Sequence, residues 1–437
     1  MLSKEDNIRF TEVGPGSALN PMAKRQWLPY LRAEALEANG RPRKVELLGE
    51  TYISFRAADG TLGFFDEQCP HRGASLVLGR SGDNALTCIF HGWKFDVGGQ
   101  CIETPSEANP GFCKTVKLQA YPTREAGGVC WVYLGEGDAP VFPDYEFFSA
   151  PPDYRRARVG YCESNWTQNL ETLLDSSHIG LLHASGAAPK GSLNVKQING
   201  INTPMLSVVE TSYGLQAFAL RDRGDGTTSL RVTEFVAPFT VLNGATREEE
   251  GRLLYMVPIN NTRTAFWRME WDLNHPQDYW VQRARDRGME DLFFENPDDF
   301  LADVFDRSKE NFGQDREAMA QGHWSGFKHL RAEDAAVSDS VPIVDRTHEH
   351  LGASDLVIAK MRQLYFRGLA AFENGGPAPG LGPHGDGRDV PYADMRGTAE
   401  IISSDVDPRD YHDRVLKHAR IAARQAFLAA RQGGDQA

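Results

Sequence analysis

The chain has 437 residues, of which 41% are hydrophobic and 24% charged, values near those of ordinary folded chains and long enough for two or three cores. A formal net charge of −13 argues against nucleic acid or an anionic membrane as a partner, and no apolar run approaches the roughly eighteen residues that cross a bilayer. The opening Met1-Leu-Ser-Lys-Glu-Asp lacks the basic start and apolar stretch of a signal peptide, and six cysteines in so long a chain give no disulfide framework, so a reducing, cytoplasmic setting is expected.

Residues 1–40 read as partly helical, with Pro21–Pro29 as a capped turn or short helix, and are expected to pack on a larger downstream domain. From about Lys44 short β-type runs take over, such as Val45-Glu-Leu-Leu and Tyr52-Ile-Ser-Phe55. They are separated by Gly/Asp turns and continue to Gly128-Val-Cys-Trp-Val-Tyr-Leu134. A small antiparallel β domain over 41–150 fits this texture, and Pro140, Pro143, Pro151 and Pro152 mark a linker to a third segment, 151–437.

Two loops of the β domain carry chemistry. Cys69-Pro-His71-Arg72-Gly73 and Cys88-Ile-Phe-His91-Gly92-Trp93 are separated by residues 74–87, and each contributes one thiolate and one imidazole. Soft and borderline ligands select iron–sulfur or zinc over hard cations. Zinc is the competing reading, but structural zinc modules place one ligand type in each half. A cluster with cysteines on one iron and histidines on the other, the Rieske [2Fe–2S] arrangement, suits the mixed halves, and the chain is expected to move electrons. Gly73 and Gly92 would let backbone N–H groups approach the sulfides. Cys101, Cys113, Cys130 and Cys162 then remain as free thiols.

The second signal is Asn165-Trp-Thr-Gln-Asn-Leu-Glu171-Thr-Leu-Leu-Asp175-Ser-Ser-His178-Ile-Gly-Leu-Leu-His183. Free of Pro and Gly from 165 to 179, with leucines at helical spacing, it predicts one buried helix that puts Asp175 and His178 on a shared face. His183 would point elsewhere on a continuous helix; Gly180 is expected to loosen the turn so that His178 and His183 meet one ion, as in D-x2-H-x4-H metal sites. A core helix with a satisfied and a surface histidine is the plainer alternative. Further on, the Gly/Pro stretch 375–387 reads as an exposed loop rather than a nucleotide site, and 411–424 as an amphipathic helix on the surface or against a neighbour.

Both motifs, in this order, resemble the Rieske non-haem iron oxygenases, specifically their catalytic α subunits. Within that family the opening residues, Val13-Gly-Pro-Gly, Cys69-Pro-His-Arg-Gly-Ala-Ser-Leu, Val236-Ala-Pro-Phe-Thr-Val and Val341-Pro-Ile-Val-Asp-Arg-Thr are similar to the phthalate dioxygenase type. The resemblance implies an α+β fold, a small antiparallel Rieske domain followed by a catalytic domain with an antiparallel sheet flanked by helices, of the helix-grip type. It implies that Cys69, His71, Cys88 and His91 hold the cluster, and that His178 and His183 hold a mononuclear Fe(II) with a carboxylate from the distal half. Relatives carry that carboxylate at the position of Asp334, with Asp339 in reserve.

By the same resemblance Asp175 would bridge His178 to His91 of a neighbouring subunit, fixing both rings and the electron path. Arg231, at a strand position where phthalate-type relatives clamp a carboxylate, is a candidate substrate residue, or else a surface arginine on a sheet edge. Where some relatives have another arginine this chain has Met205, which puts phthalate itself in doubt. With no G-x-G-x-x-G after a strand, electrons are expected from a separate NAD(P)H reductase carrying flavin and an iron–sulfur centre, directly or through a ferredoxin. The expected reaction is cis-dihydroxylation of an aromatic substrate with O2, with O-demethylation of a methoxyaromatic acid as the alternative, in a homotrimer or stacked trimers.

Overall fold

The computed structural model describes residues 1–185, 203–244, 250–286 and 296–416, together with 421–422, 424–427 and 429. The chain divides into two compact units: Glu12–Pro140 with Val257–Asn261, and Met1–Thr11 with Val141–Met256 and Thr262–Ala437. Among the described residues no helix is long and apolar enough to cross a membrane.

The smaller unit is built from three antiparallel sheets. Strands β1 (Trp27–Arg32), β9 (Thr123–Ala126) and β10 (Val129–Tyr133) form the first, in the order β1-β10-β9. Strands β2 (Arg43–Leu47), β3 (Glu50–Arg56) and β4 (Leu62–Asp66) form a meander, and β5 (Arg80–Gly82), β6 (Ala85–Thr87), β7 (Lys94–Asp96) and β8 (Cys101–Glu103) a second one. The runs rich in Val, Tyr, Phe and Trp form these strands because such side chains fill a pleated, buried surface; every residue of β10 is buried.

One expectation shifts here. Residues 12–40 are not a helical segment of the large domain: only Met1–Thr11 groups with the larger unit. Pro21 and Met22 do lie in a short helix, Leu19–Ala23, but Trp27 opens β1, whose partner is the fully buried β10. Register with a buried strand outweighs the local turn signal of Pro21 and Pro29.

The larger unit centres on an eight-stranded antiparallel sheet in the order β11-β17-β16-β15-β14-β13-β12. Its strands are β11 (Arg155–Cys162), β12 (Met205–Glu210), β13 (Gly214–Asp222), β14 (Thr227–Val236), β15 (Thr240–Leu242), β16 (Glu250–Asn260) and β17 (Arg263–Asp272). The eighth, β18 (Thr398–Ser403), pairs with residues 227–232 of β14, and β15 takes the next stretch of the same edge, 234–236. Helices Trp166–Leu174, Leu330–Asp339 and Leu356–Glu373 belong to the same unit.

Two further expectations are corrected. The 375–387 stretch has no regular structure but is not simply exposed, since Ala378 and Leu381 are buried. A Cβ on Gly380 would stand 1.8 Å from the Ala237 carbonyl oxygen, so glycine is what lets this loop lie on the Val236–Phe239 turn. The 411–424 segment is described in part: Tyr411–Leu416 winds as a π-helix rather than an α-helix, and 417–420 and 423 lie outside the described residues.

Candidate functional site

The two cysteine/histidine loops of the smaller unit are built alike. Cys69 N–H donates to Ala74 O (2.8 Å) and Gly73 N–H to Cys69 O (2.9 Å); Cys88 N–H donates to Trp93 O (2.8 Å) and Gly92 N–H to Cys88 O (3.0 Å). Each loop turns on its glycine at φ +74°, a left-handed conformation that a Cβ disfavours. The identical closures bring the four side chains together. Cys69 and Cys88 are 2% and 3% exposed, and the His71 and His91 rings lie 4.5 Å apart. His71 also stacks on Trp93, centroids 4.3 Å apart and nearly parallel.

The electrostatics suit a cluster. Burial, and then the neighbouring Cys88, push the Cys69 thiol up to about 11, a cost that bonding to iron as thiolate removes. His91 is held below its usual value by desolvation and by His71 and Arg72, the direction that suits a ligand. Its Nδ1 is buried and has no hydrogen-bond partner, as expected for an atom that faces a metal.

The larger unit assembles a second constellation from distant segments. Asn165 caps the first helix by accepting from Thr167 N–H (3.1 Å), but the helix ends at Leu174, not beyond His178. Asp175 turns extended (ψ 113°) and its Oδ1 accepts from Ser177 N–H (2.6 Å). Asp-Ser-Ser offers the backbone local partners that compete with the helix. Asp175 and His178 therefore share a connector rather than a helix face. Gly180 lies inside a second short helix, Ile179–Leu182, with His178 before it and His183 after it. Arg221 of β13, 1% exposed, holds the connector through the Ser176 carbonyl.

The carboxylate arrives on helix Leu330–Asp339. The run after that helix ties it to the histidine segment. Gln168 Nε2 donates to Ser338 O (2.9 Å) and Val341 O (2.7 Å), Asn165 N–H to Pro342 O (2.8 Å), and buried Arg346 reaches Glu171 (2.8 Å). His178 Nε2 and His183 Nε2 then lie 3.7 and 3.2 Å from Asp334 Oδ1. One ligand atom from each of the three falls within 4.8 Å of the others, and Asp334 Oδ1 is buried without a hydrogen-bond partner. Asp339 is engaged elsewhere, accepting from Ser164 Oγ (2.8 Å) and Arg307 Nε (2.7 Å).

Two imidazoles and a carboxylate around a common point are the donor set of a facial iron site with open positions. Burial opposes charge on His183, but Asp334 and Glu333 outweigh it and raise its pKa to about 9; an incoming metal would displace that proton. Asp175 Oδ2 lies 3.4 Å from His178 Nδ1. Burial works against its charge, while His178 and the Ser177 N–H hold it below its ordinary value.

A cavity of about 160 Å³ adjoins this constellation, with Asp175, His178, His183 and Asp334 and four arginines, Arg231, Arg252, Arg268 and Arg331, among its lining residues. Leu254, Met256, Phe266 and Leu301 supply apolar walls. Arg231 is not on a sheet edge: β14 is paired on both sides. Burial and then Arg252 and Arg221 lower its pKa to about 10. Asn243, also on the cavity wall, keeps a buried Oδ1 with no hydrogen-bond partner. Met205 is exposed on β12.

The other pocket arginines went unread in the sequence, although a signal was present. Arg156 and Arg158 on β11 stand opposite Glu270 and Arg268 on β17, a period-2 alternation of charge on adjacent strands. Glu270, 2% exposed, pairs with Arg156, Arg158, Arg252 and Arg268, so that alternation faces the interior. Glu333 was missed as well: it is fully buried and accepts from His183 Nδ1 (2.6 Å).

Comparison with known proteins assigns a family to each part of the chain. Residues 26–122 match the Rieske [2Fe-2S] domain family, and residues 132–426 match the LigXa C-terminal domain like family. The chain is 36% identical to the phthalate 4,5-dioxygenase oxygenase subunit of Pseudomonas putida over 95% of its own length and 96% of the relative's. It is 30% identical to the 3-chlorobenzoate-3,4-dioxygenase oxygenase subunit of Comamonas testosteroni, covering 87% and 91%. A 5,5'-dehydrodivanillate O-demethylase oxygenase subunit from Sphingobium is 28% identical over 86% of this chain and 82% of that one. Among solved structures, dicamba monooxygenase bound to dicamba superposes with a TM-score of 0.56 at 16% identity, over 81% of this chain and 99% of that one, a likeness of fold. The chain carries a Rieske [2Fe–2S] cluster and a mononuclear iron. It belongs to the Rieske non-haem iron oxygenases, as a terminal oxygenase α subunit of the phthalate dioxygenase-like type.

Proposed function

We propose that this oxygenase acts on a single-ring aromatic carboxylate, which it cis-dihydroxylates. The observation that carries this reading is Arg231. Among the described residues it has no hydrogen bond or ion pair, yet it lines the cavity beside the histidine pair. The side chain is half-buried with Asp175 as a nearby negative charge; a guanidinium facing a cavity suits an anion, and a substrate carboxylate would supply it. Size supports one ring, since a cavity of about 150 Å³ accommodates benzene and this one has about 160 Å³.

In this reading Cys69, His71, Cys88 and His91 hold the cluster, and His178, His183 and Asp334 the mononuclear iron. The cluster passes single electrons, and the iron activates O2 at its open positions. The residues do the rest. Arg231 anchors the carboxylate, the apolar walls exclude water and orient the ring, and Asp175 fixes the His178 ring through Nδ1. The copies assemble as a homotrimer or stacked trimers, Asp175 meeting His91 of the next copy; the exposed Ile89 and Phe90 flanking that histidine suit burial in such a contact. A flavin-containing NAD(P)H reductase feeds the cluster.

O-demethylation of a methoxyaromatic acid is the second reading, favoured by the similarity to a demethylase subunit over most of the chain. A panel of aromatic acids, methoxyaromatic acids and their uncharged amides, assayed for substrate-dependent NADH and O2 consumption with a surrogate reductase, tests both. A cis-diol from a benzoate-class acid is expected. Formaldehyde as product would favour demethylation, and equal turnover of acids and amides would refute the carboxylate anchor.

A further inference from the structure

We propose that Glu333 is a positioning residue for the mononuclear site, holding the His183 ring so that Nε2 faces the metal, and that Ser325 fixes Glu333 in turn. The inference rests on His178, His183 and Asp334 being the ligands. Its basis is a second, buried set of contacts behind them.

Glu333 lies in the first turn of helix Leu330–Asp339 and Asp334 directly follows it, and they grip one imidazole from its two nitrogens. Glu333 Oε2 lies 2.6 Å from His183 Nδ1, and Asp334 Oδ1 3.2 Å from His183 Nε2. Nδ1–H must therefore donate to Glu333, which leaves the Nε2 lone pair for a metal. Such carboxylate–histidine pairs set ring tautomer and orientation and raise ligand basicity.

Glu333 has no exposed surface, and among the described residues no lysine or arginine pairs with it; its one ion-pair partner is His183. A buried carboxylate so placed is expensive for packing alone. The helix N-terminus eases that cost, and Ser325 Oγ donates to the other oxygen, Oε1. Ser325 is itself placed by the Phe327 N–H (3.2 Å) and by Gln314, which donates to its carbonyl (2.7 Å). Its neighbour Trp324 donates its N–H to Ser185 Oγ (2.9 Å), two residues past His183. One loop thus braces both the carboxylate and the histidine it holds.

The test uses the full-length protein with its cluster in place. Anaerobic chelator competition measures Fe(II) and Co(II) affinity of the mononuclear site, and the ligand-field spectrum of the Co(II) form reports its geometry. Glu333→Gln should bind either metal about 10- to 100-fold more weakly, with shifted Co(II) bands and an unchanged cluster spectrum; Ser325→Ala should show the same changes, smaller. Affinity within about twofold of wild type and unshifted bands in Glu333→Gln would overturn the proposal. Should that variant lose its cluster as well through misfolding, Ser325→Ala decides by the same criteria. Asp334→Ala separates the two readings: if it still binds metal, the ligand assignment fails, whereas loss of metal there with wild-type binding in Glu333→Gln sinks the positioning role alone.

Discussion

The two metal regions of this chain are made in opposite ways. The cluster loops are local: each is closed by its own backbone, with Cys to Gly and Cys to the following residue paired in the same pattern, and all four candidate ligands fall between residues 69 and 91. The mononuclear site is non-local. Its candidate histidines sit on a connector and the end of a four-residue helix, and the candidate carboxylate comes from a helix joined to them through Gln168, Asn165 and Arg346. A local site tolerates change elsewhere in the fold; a non-local one depends on every tie that brings its parts together.

The largest effect should come from breaking the local site. Cys88→Ala should abolish the cluster and all reductase-coupled oxygenation while the other centre still binds about one iron per chain, measured by iron and acid-labile sulfide analysis. Parallel loss of the mononuclear iron along with the cluster would mean that the two regions are not independent. Next is the group assigned to join them: Asp175→Ala should keep both centres loaded yet lower coupled turnover by about two orders of magnitude or more. Normal turnover in that variant would remove Asp175 from the electron path.

Arg231→Gln sharpens the comparison inside the cavity. A charge-assisted hydrogen bond contributes about 1.5–3 kcal/mol, so kcat/KM for a carboxylated substrate should fall about 10- to 100-fold, with both metal centres and the rate on an uncharged analogue little changed. An equal loss on acid and amide would point to a packing role. The smallest effect belongs to the loop glycines. Gly92→Ala forces a left-handed residue and sets a Cβ 2.7 Å from Pro105 Cγ. A cost of about 1–2 kcal/mol is expected, seen as a lower temperature for cluster loss with the mononuclear site unaltered.

How much could be read from the residues follows the same divide. The cluster motif was legible because its chemistry and its spacing lie in one short stretch. Asp334 could be selected over Asp339 only through resemblance; the physical reason appears in three dimensions, where Ser164 and Arg307 occupy Asp339 while Asp334 Oδ1 faces His178 and His183. The helix break at Leu174 was hidden because leucine spacing suggests continuity, while Asp175 and the serines after it decide otherwise through short-range hydrogen bonds. Arg252 and Arg268 escaped notice because charged strand residues read as solvent-facing until the sheet places buried Glu270 beside them. Residues 12–40 were misjudged because a strand's existence depended on β10, a hundred positions away.

The account stands most directly on one comparison: iron and acid-labile sulfide per chain in the wild-type protein and in Asp334→Ala. About three irons and two sulfides are predicted for the wild type, and about two irons and two sulfides, with an unaltered cluster spectrum, for the variant. A variant that retains the third iron would contradict the account.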